Sequence, residues 1–204
     1  MYLQHFSTNI TNGGSILTDP IFGVQSDGLA LSRDAEMYQW VEEKRTKSKS
    51  KTGGGKTTTT TYHYNKEWKD YRVDSQSFKR SGYTNPSDME FTSDEFYASP
   101  IMIGAYELPQ ELVGRVNWYQ DVDVDITNIT DQTIRNRTIK TSDGYYFGNS
   151  PSSPVVGDQR VSFAEVPPST ITIVGVQNGN TLSAFVSETG EGGDILLFKR
   201  GNYS

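Results

Sequence analysis

The chain contains no cysteine, which removes a disulfide framework, a thiolate metal site and a cysteine nucleophile from consideration. Histidine is nearly as scarce, with only His5 and His63 present. There is no HExxH to gather zinc and no GxSxG elbow to hold a serine nucleophile. Nothing approaches the roughly 18 consecutive apolar residues of a membrane-crossing helix, and the N-terminal MYLQHFSTNITNGG lacks the basic-then-apolar build of a secretion signal. Positive charge is in deficit. A formal net charge of −6 and a pI near 5.0 argue against a general nucleic-acid binder, which carries a basic face. One basic run, Lys44 to Lys56, is the exception; it reads as a solvated loop or as a contact with an acidic membrane surface or acidic partner.

What is present points to a folded β protein. Hydrophobic residues make up 34% of the 204 and aromatics 12%, enough apolar surface to offset the entropy of ordering the chain. That length suits one large β domain or two lobes, about 1–118 and 119–204. In AEMYQWVE, Glu36, Tyr38, Trp40 and Glu42 share one face and Met37, Gln39 and Val41 the other, as a strand requires. TTTTTYHYNKEW is rich in β-branched and aromatic residues, with Tyr62, Tyr64 and Trp68 on one parity. These two strands form a hairpin, and residues 47–61 are expected to be its flexible loop. Downstream, Ser99 to Leu108 reads as a mostly buried strand, and Leu108 to Val116 as a short helix with Pro109 suited to its start. Val116 to Thr130 reads as an exposed strand. NGN at Asn178 to Asn180 marks a hairpin turn between two apolar strands, and ILLFKR supplies a last one. The class expected is mainly β, built of antiparallel strands and hairpins with one or two short helices.

Several motifs invite a chemical reading. KSKSKTGGGKTTTTT, Lys47 to Thr61, has the glycines, lysine and threonines of a phosphate loop. Yet Ser50 stands where that motif needs its first glycine, and the threonines that follow disfavour the helix whose N-terminus would hold the anion. It reads as a hairpin tip. DVDVD, Asp121 to Asp125, opens like a calcium loop, but the positions needing glycine and the bidentate glutamate hold Ile126 and Gln132. Aspartates guarding an exposed strand edge are the plainer reading. Glu36, Glu42, Glu90, Glu95 and Glu165 could supply a hydrolytic carboxylate pair, a matter of spatial separation that spacing in sequence does not reveal. Sequons at Asn9, Asn128, Asn136 and Asn202 are candidate glycosylation sites. No catalytic, cofactor or metal residues are assigned.

Taken in order, LTDPIFGV (Leu17 to Val24), RDAEMYQWVE (Arg33 to Glu42), YNKEW (Tyr64 to Trp68), DSQSFKRSGYTNP (Asp74 to Pro86), GDQRVSF (Gly157 to Phe163) and GDILLFKRGNYS (Gly193 to Ser204) resemble the extramembrane domain of the LUMA, or transmembrane protein 43, family. EMYQWVE, a variable loop and then YNxEW is the most specific part. The resemblance implies a domain on the lumenal side of the endoplasmic reticulum or nuclear envelope membrane, or the periplasmic side in a bacterium. It implies a non-enzymatic scaffold that self-associates and contacts other proteins, and it brings no catalytic residue to transfer. The family's membrane helices have no counterpart in this sequence, which leads to two expectations: a piece of a longer membrane protein, or a membrane-free relative such as an accessory structural component of a virus particle. A carboxylate-dependent hydrolase is the rival from a different class.

Overall fold

The computed structural model describes residues 3–50, 52–179, 181–183 and 196–199. The strands among them are, in chain order, β1 (Leu3–Thr11), β2 (Leu17–Thr18), β3 (Gln25–Ser26), β4 (Ala30–Ser50), β5 (Lys56–Lys69), β6 (Asp94–Tyr97), β7 (Met102–Ile103) and β8 (Tyr106–Glu107). They continue as β9 (Gln120–Asp121), β10 (Ile139–Lys140), β11 (Tyr145–Phe147), β12 (Gln159–Val166), β13 (Ser169–Asn178), β14 (Thr181–Ser183) and β15 (Leu196–Lys199). Among the described residues helix is confined to α1 (Gln132–Arg137) and to 3-10 turns at Ser75–Ser77, Gln110–Arg115 and Ile126–Asn128. The mainly antiparallel β class is therefore the observed one. The chain divides into two compact units, residues 1–33, 94–135 and 163–204 in the first, and 34–93 with 136–162 in the second. Each is assembled from segments distant in sequence, unlike a division near residue 118.

In the first unit β1 runs antiparallel to β13, from Leu3 opposite Val176 to Ile10 opposite Ser169. β7, β8 and β14 complete a circuit of pairings that returns to β13, which also pairs with β15. Asn178 and Gly179 lie at the turn between β13 and β14, where the NGN signal marks one. Ile10, Leu29, Leu31, Ile103, Ile129 and Ile171 are fully buried, and Phe22 meets Phe163 edge to face with ring centroids 5.7 Å apart. The DPIFGV turn is fastened by Asp19. Its Oδ1 accepts the N–H groups of Ile21 and Phe22 at 2.9 and 2.7 Å, while its Oδ2 meets the Arg33 guanidinium. Arg33 also lies 3.6 Å from Asp94. Gly23 has φ +66°, and a Cβ there would sit 2.2 Å from the carbonyl oxygen of Asn128, so the turn tolerates only glycine.

Three local expectations are corrected in this unit. Leu108 to Val116 forms a 3-10 turn instead of an α-helix; no side chain caps its start, and Gly114 lies within it. Val116 to Thr130 is not one exposed strand. Only Gln120–Asp121 pairs, with Ala164 and Glu165, after which Asp125 Oδ1 accepts the Thr127 N–H and hydroxyl at 2.8 Å each and starts a 3-10 turn. Ser99 to Leu108 is two short antiparallel strands, β7 and β8, instead of one, and the α-helix lies further on, at Gln132–Arg137. Asp131 Oδ1 accepts the N–H groups of Thr133 and Ile134, an aspartate cap that explains why α1 begins there.

The second unit is built on the β4–β5 hairpin, paired without interruption from Met37 opposite Lys69 to Ser50 opposite Lys56. Strand pairing thus enters the 47–61 stretch from both sides. The strand order is β10-β11-β12-β4-β5, so β5 ends the sheet. Its core is small and aromatic: Met37, Phe91, Tyr145, Tyr146, Phe147 and Val161 are buried, with Phe91 and Phe147 centroids 4.4 Å apart. Among the polar side chains buried with them, Gln39, Gln159 and Asn85 are satisfied by backbone groups. Gln39 bridges the backbone of Tyr71 and Val73, and Gln159 binds the backbone of Glu90 and Phe91. Asn85 accepts the Trp40 N–H at 2.7 Å and donates to the carbonyls of Trp40 and Val73.

Candidate functional site

The period-two alternation of β4 and β5 places Tyr38, Trp40 and Glu42 on one face directly opposite Trp68, Lys66 and Tyr64. Each cross-strand pair is a contact. Tyr38 and Trp68 have centroids 5.1 Å apart, the Lys66 ammonium lies 4.9 Å from the Trp40 ring centroid, and the Tyr64 hydroxyl donates to Glu42 Oε2 at 2.5 Å. The 75–85 segment folds over this row. Tyr83 stacks on Tyr64 at 3.9 Å with the planes 4° apart and meets Trp40 edge to face, while Phe78 packs edge to face against Tyr64. Lys79 donates its backbone N–H to the same Glu42 oxygen at 2.5 Å. The two donors, Tyr64 foremost, hold the Glu42 carboxyl below the usual glutamate range.

Where the row reaches Trp68 it opens into a cleft of about 460 Å³ lined by Glu36, Trp68, Tyr146, Arg160 and the Thr141–Tyr145 turn, a size that admits small ligands. The Arg160 guanidinium lies over the Trp68 ring at 4.6 Å and is bound by Glu36 Oε2 at 2.6 Å, and Tyr146 approaches the same indole edge-on. Tyr146 gives its hydroxyl proton to Asp158, and burial followed by that carboxylate pushes its ionisation well above the ordinary tyrosine range. The wall of the cleft depends on Gly144, where the backbone of Val161 comes so close that a Cβ would lie 2.1 Å from its carbonyl oxygen. An aromatic plane, an arginine held by a carboxylate and a polar turn can bind a polar molecule.

The candidate carboxylates are engaged by different partners. Glu36 holds Arg160, Glu42 accepts from Tyr64 and Lys79, and Glu90 forms a two-pronged pair with Arg137. In the first unit Glu165 accepts from Ser26, and Glu95 accepts from Tyr97 and Tyr119. Burial, reinforced by Tyr97, raises the Tyr119 phenol far above its ordinary value. His63 is exposed on β5 opposite Glu43, and His5 lies in β1. Asp121 is in β9 and Asp125 caps a 3-10 turn, and among the described residues no three histidine or carboxylate side chains gather as metal ligands. Asn9, Asn128 and Asn136 are exposed, in β1, in a 3-10 turn and in α1; Asn202 lies outside the described residues. Lys47 to Thr61 is paired strand on both sides of a turn, and β5, not a helix, follows its glycines.

The residues that build this face, EMYQWVE on β4 and YNKEW on β5, are the ones that carry the family resemblance, and the comparison with known proteins agrees. The family model for transmembrane protein 43 matches residues 37–204. The chain belongs to the transmembrane protein 43 family. The transmembrane protein 43 homolog of Drosophila melanogaster is 35% identical over 196 residues, covering 94% of this chain and 50% of the relative. Human transmembrane protein 43 is 30% identical over 200 residues, covering 93% of this chain and 48% of the relative. The chain therefore spans about half the length of the curated relatives it matches. No solved structure matches it. By name these family members are transmembrane proteins, and neither name states an enzymatic activity, while no helix among the described residues is long and apolar enough to cross a membrane. Sequence reading missed Phe78, Tyr83 and Asn85 as builders of the aromatic face. They come from a turn-rich stretch, and only their aromatic or amide character could have hinted at it.

Proposed function

We propose that this chain is the extramembrane domain of a transmembrane protein 43-type membrane protein and works, without catalysing a reaction, as a scaffold that binds other proteins, its own copies included. The observation that carries the reading is the placement of β5 at the end of its sheet, with His63, Asn65 and Lys66 exposed along it. A long terminal strand offers main-chain groups to which a partner strand can add. The dispersal of the candidate carboxylates into separate structural contacts supports a non-enzymatic role. The exposed sequons at Asn128 and Asn136 fit a position on the lumenal side of the endoplasmic reticulum or nuclear envelope membrane.

A photoreactive residue in place of His63 or Asn65, in the full-length protein in its own membrane, tests the edge. Discrete protein adducts are expected from both positions and not from the equally exposed Ile16. Absence of adducts at β5, or turnover of an ester, glycoside or phosphate that disappears on Glu36→Gln, defeats the scaffold reading.

A further inference from the structure

The outer half of the hairpin differs in chemistry from its aromatic base. Residues 44–61 hold five lysines and one arginine, with no carboxylate and no apolar side chain among them. Subtracting those six charges from the chain's −6 leaves −12 on everything else. Every described residue from Glu43 to Thr61 is exposed, and burial begins again only at Tyr62, where the aromatic row starts. Strand rise carries Glu43 to Ser50 about 25 Å outward. The register sets Arg45, Lys47 and Lys49 on one face, opposite Thr61, Thr59 and Thr57, and Lys44 and Lys56 on the other. Cations on the same face follow one another at about 7 Å. Arg45 is occupied by Glu43 through two contacts of 2.9 Å, so Lys47 and Lys49 lead the face, beside a shallow depression they share with Thr57 and Thr59.

We propose that this arm docks on an anionic lipid surface, Lys47 and Lys49 meeting the headgroups from one face and Lys44 and Lys56 from the other. Charge complementarity is the argument, and the missing apolar residues decide among occupants. A stable protein interface needs a desolvated apolar or aromatic centre and is depleted in lysine, and the arm has no such centre. A charged bilayer attracts lysines through long-range electrostatics that need no shape complementarity. Threonine hydroxyls beside the ammonium groups add donors for phosphate oxygens. The family's printed description as transmembrane puts a bilayer within the reach of such an arm. The inference goes beyond the scaffold reading, since it concerns lipid, and it stands if that reading fails.

The test is sedimentation of the 204-residue protein with vesicles of phosphatidylcholine alone and of phosphatidylcholine with phosphatidylserine. Binding is expected only to the second kind, with loss at high salt. Lys47→Gln/Lys49→Gln lowers partitioning by roughly fivefold for each charge removed, while the charge-matched Arg72→Gln/Lys79→Gln protein, altered at exposed positions outside the arm, keeps most of it. Circular dichroism checks that both variants keep their strands. Equal binding of the two double variants overturns the proposal. So does hairpin-dependent self-association, or binding to heparin, without pelleting on anionic vesicles.

Discussion

Arg33 and Asp19 form an ion pair from which water is excluded, their side chains 3% and 0% exposed. Asp19 holds both the guanidinium and two backbone N–H groups of the DPIFGV turn. Removing one member of such a pair strands the other charge without water. Arg33→Met is expected to lower stability by about 3–5 kcal/mol, read as a shift in the urea midpoint at constant slope. Adding Asp19→Asn to that variant should restore part of the loss, because the amide still accepts the turn's N–H groups and carries no charge.

The Glu42 carboxyl gives a pH dependence of definite sign. Its folded-state pKa lies below the ordinary value because the Tyr64 hydroxyl and the Lys79 N–H bind the ionised form. Its contribution is therefore present above the unfolded pKa of about 4.3 and fades as pH falls through the depressed folded value. Tyr64→Phe removes the larger cause. Carboxyl carbon NMR should show Glu42 titrating higher in that variant, and the acid limb of its stability profile should lose this component; an unmoved titration would contradict the assignment.

Gly144 closes the turn beside the cleft. A methyl group there meets the Val161 carbonyl oxygen and also demands φ near +142°, which L-residues rarely adopt. Gly144→Ala is expected to cost about 1–3 kcal/mol. Gly53→Ala, at a hairpin-tip position with open space around the site of the Cβ, meets only the backbone term. Thermal melts of the two variants side by side separate the steric contribution.

Expression through a eukaryotic secretory pathway tests the lumenal placement. Asn128 and Asn136 are expected to carry glycans, each removable by its own Asn→Gln substitution and seen as a mass step after enzymatic deglycosylation. A chain that passes through that compartment unmodified at both sites would speak against the lumenal side.

The hairpin was legible because its two faces have unequal environments: Met37 and Gln39 are buried while Tyr38 and Trp40 are half-buried, so a period of two is written into residue type. The Asn178–Gly179 turn is equally local, needing only a residue that accepts positive φ. What failed was the reading of aspartates. Asp125 reads by its charge as a strand-edge guard or a calcium ligand, whereas its side chain, like that of Asp131, binds a nearby N–H group and starts a helical turn. Nothing local told that Tyr83 would lie flat on Tyr64, or that Asn85 would grip both backbone groups of Trp40. Those contacts join segments about twenty and forty-five residues apart, and their partners are chosen by tertiary packing.

The pairing of β1 with β13 has a consequence for biogenesis. His5 is paired in register with Val174, and Ser7 hydrogen-bonds Thr172 across a sequence separation of 165 residues. During synthesis β1 emerges long before β13 exists, and its edge must wait, shielded from other chains, until the ribosome has made the residues up to β13. A nascent chain halted before Ser169 would therefore be a client for chaperones, and the cell's tolerance of this domain depends on how quickly that late strand arrives.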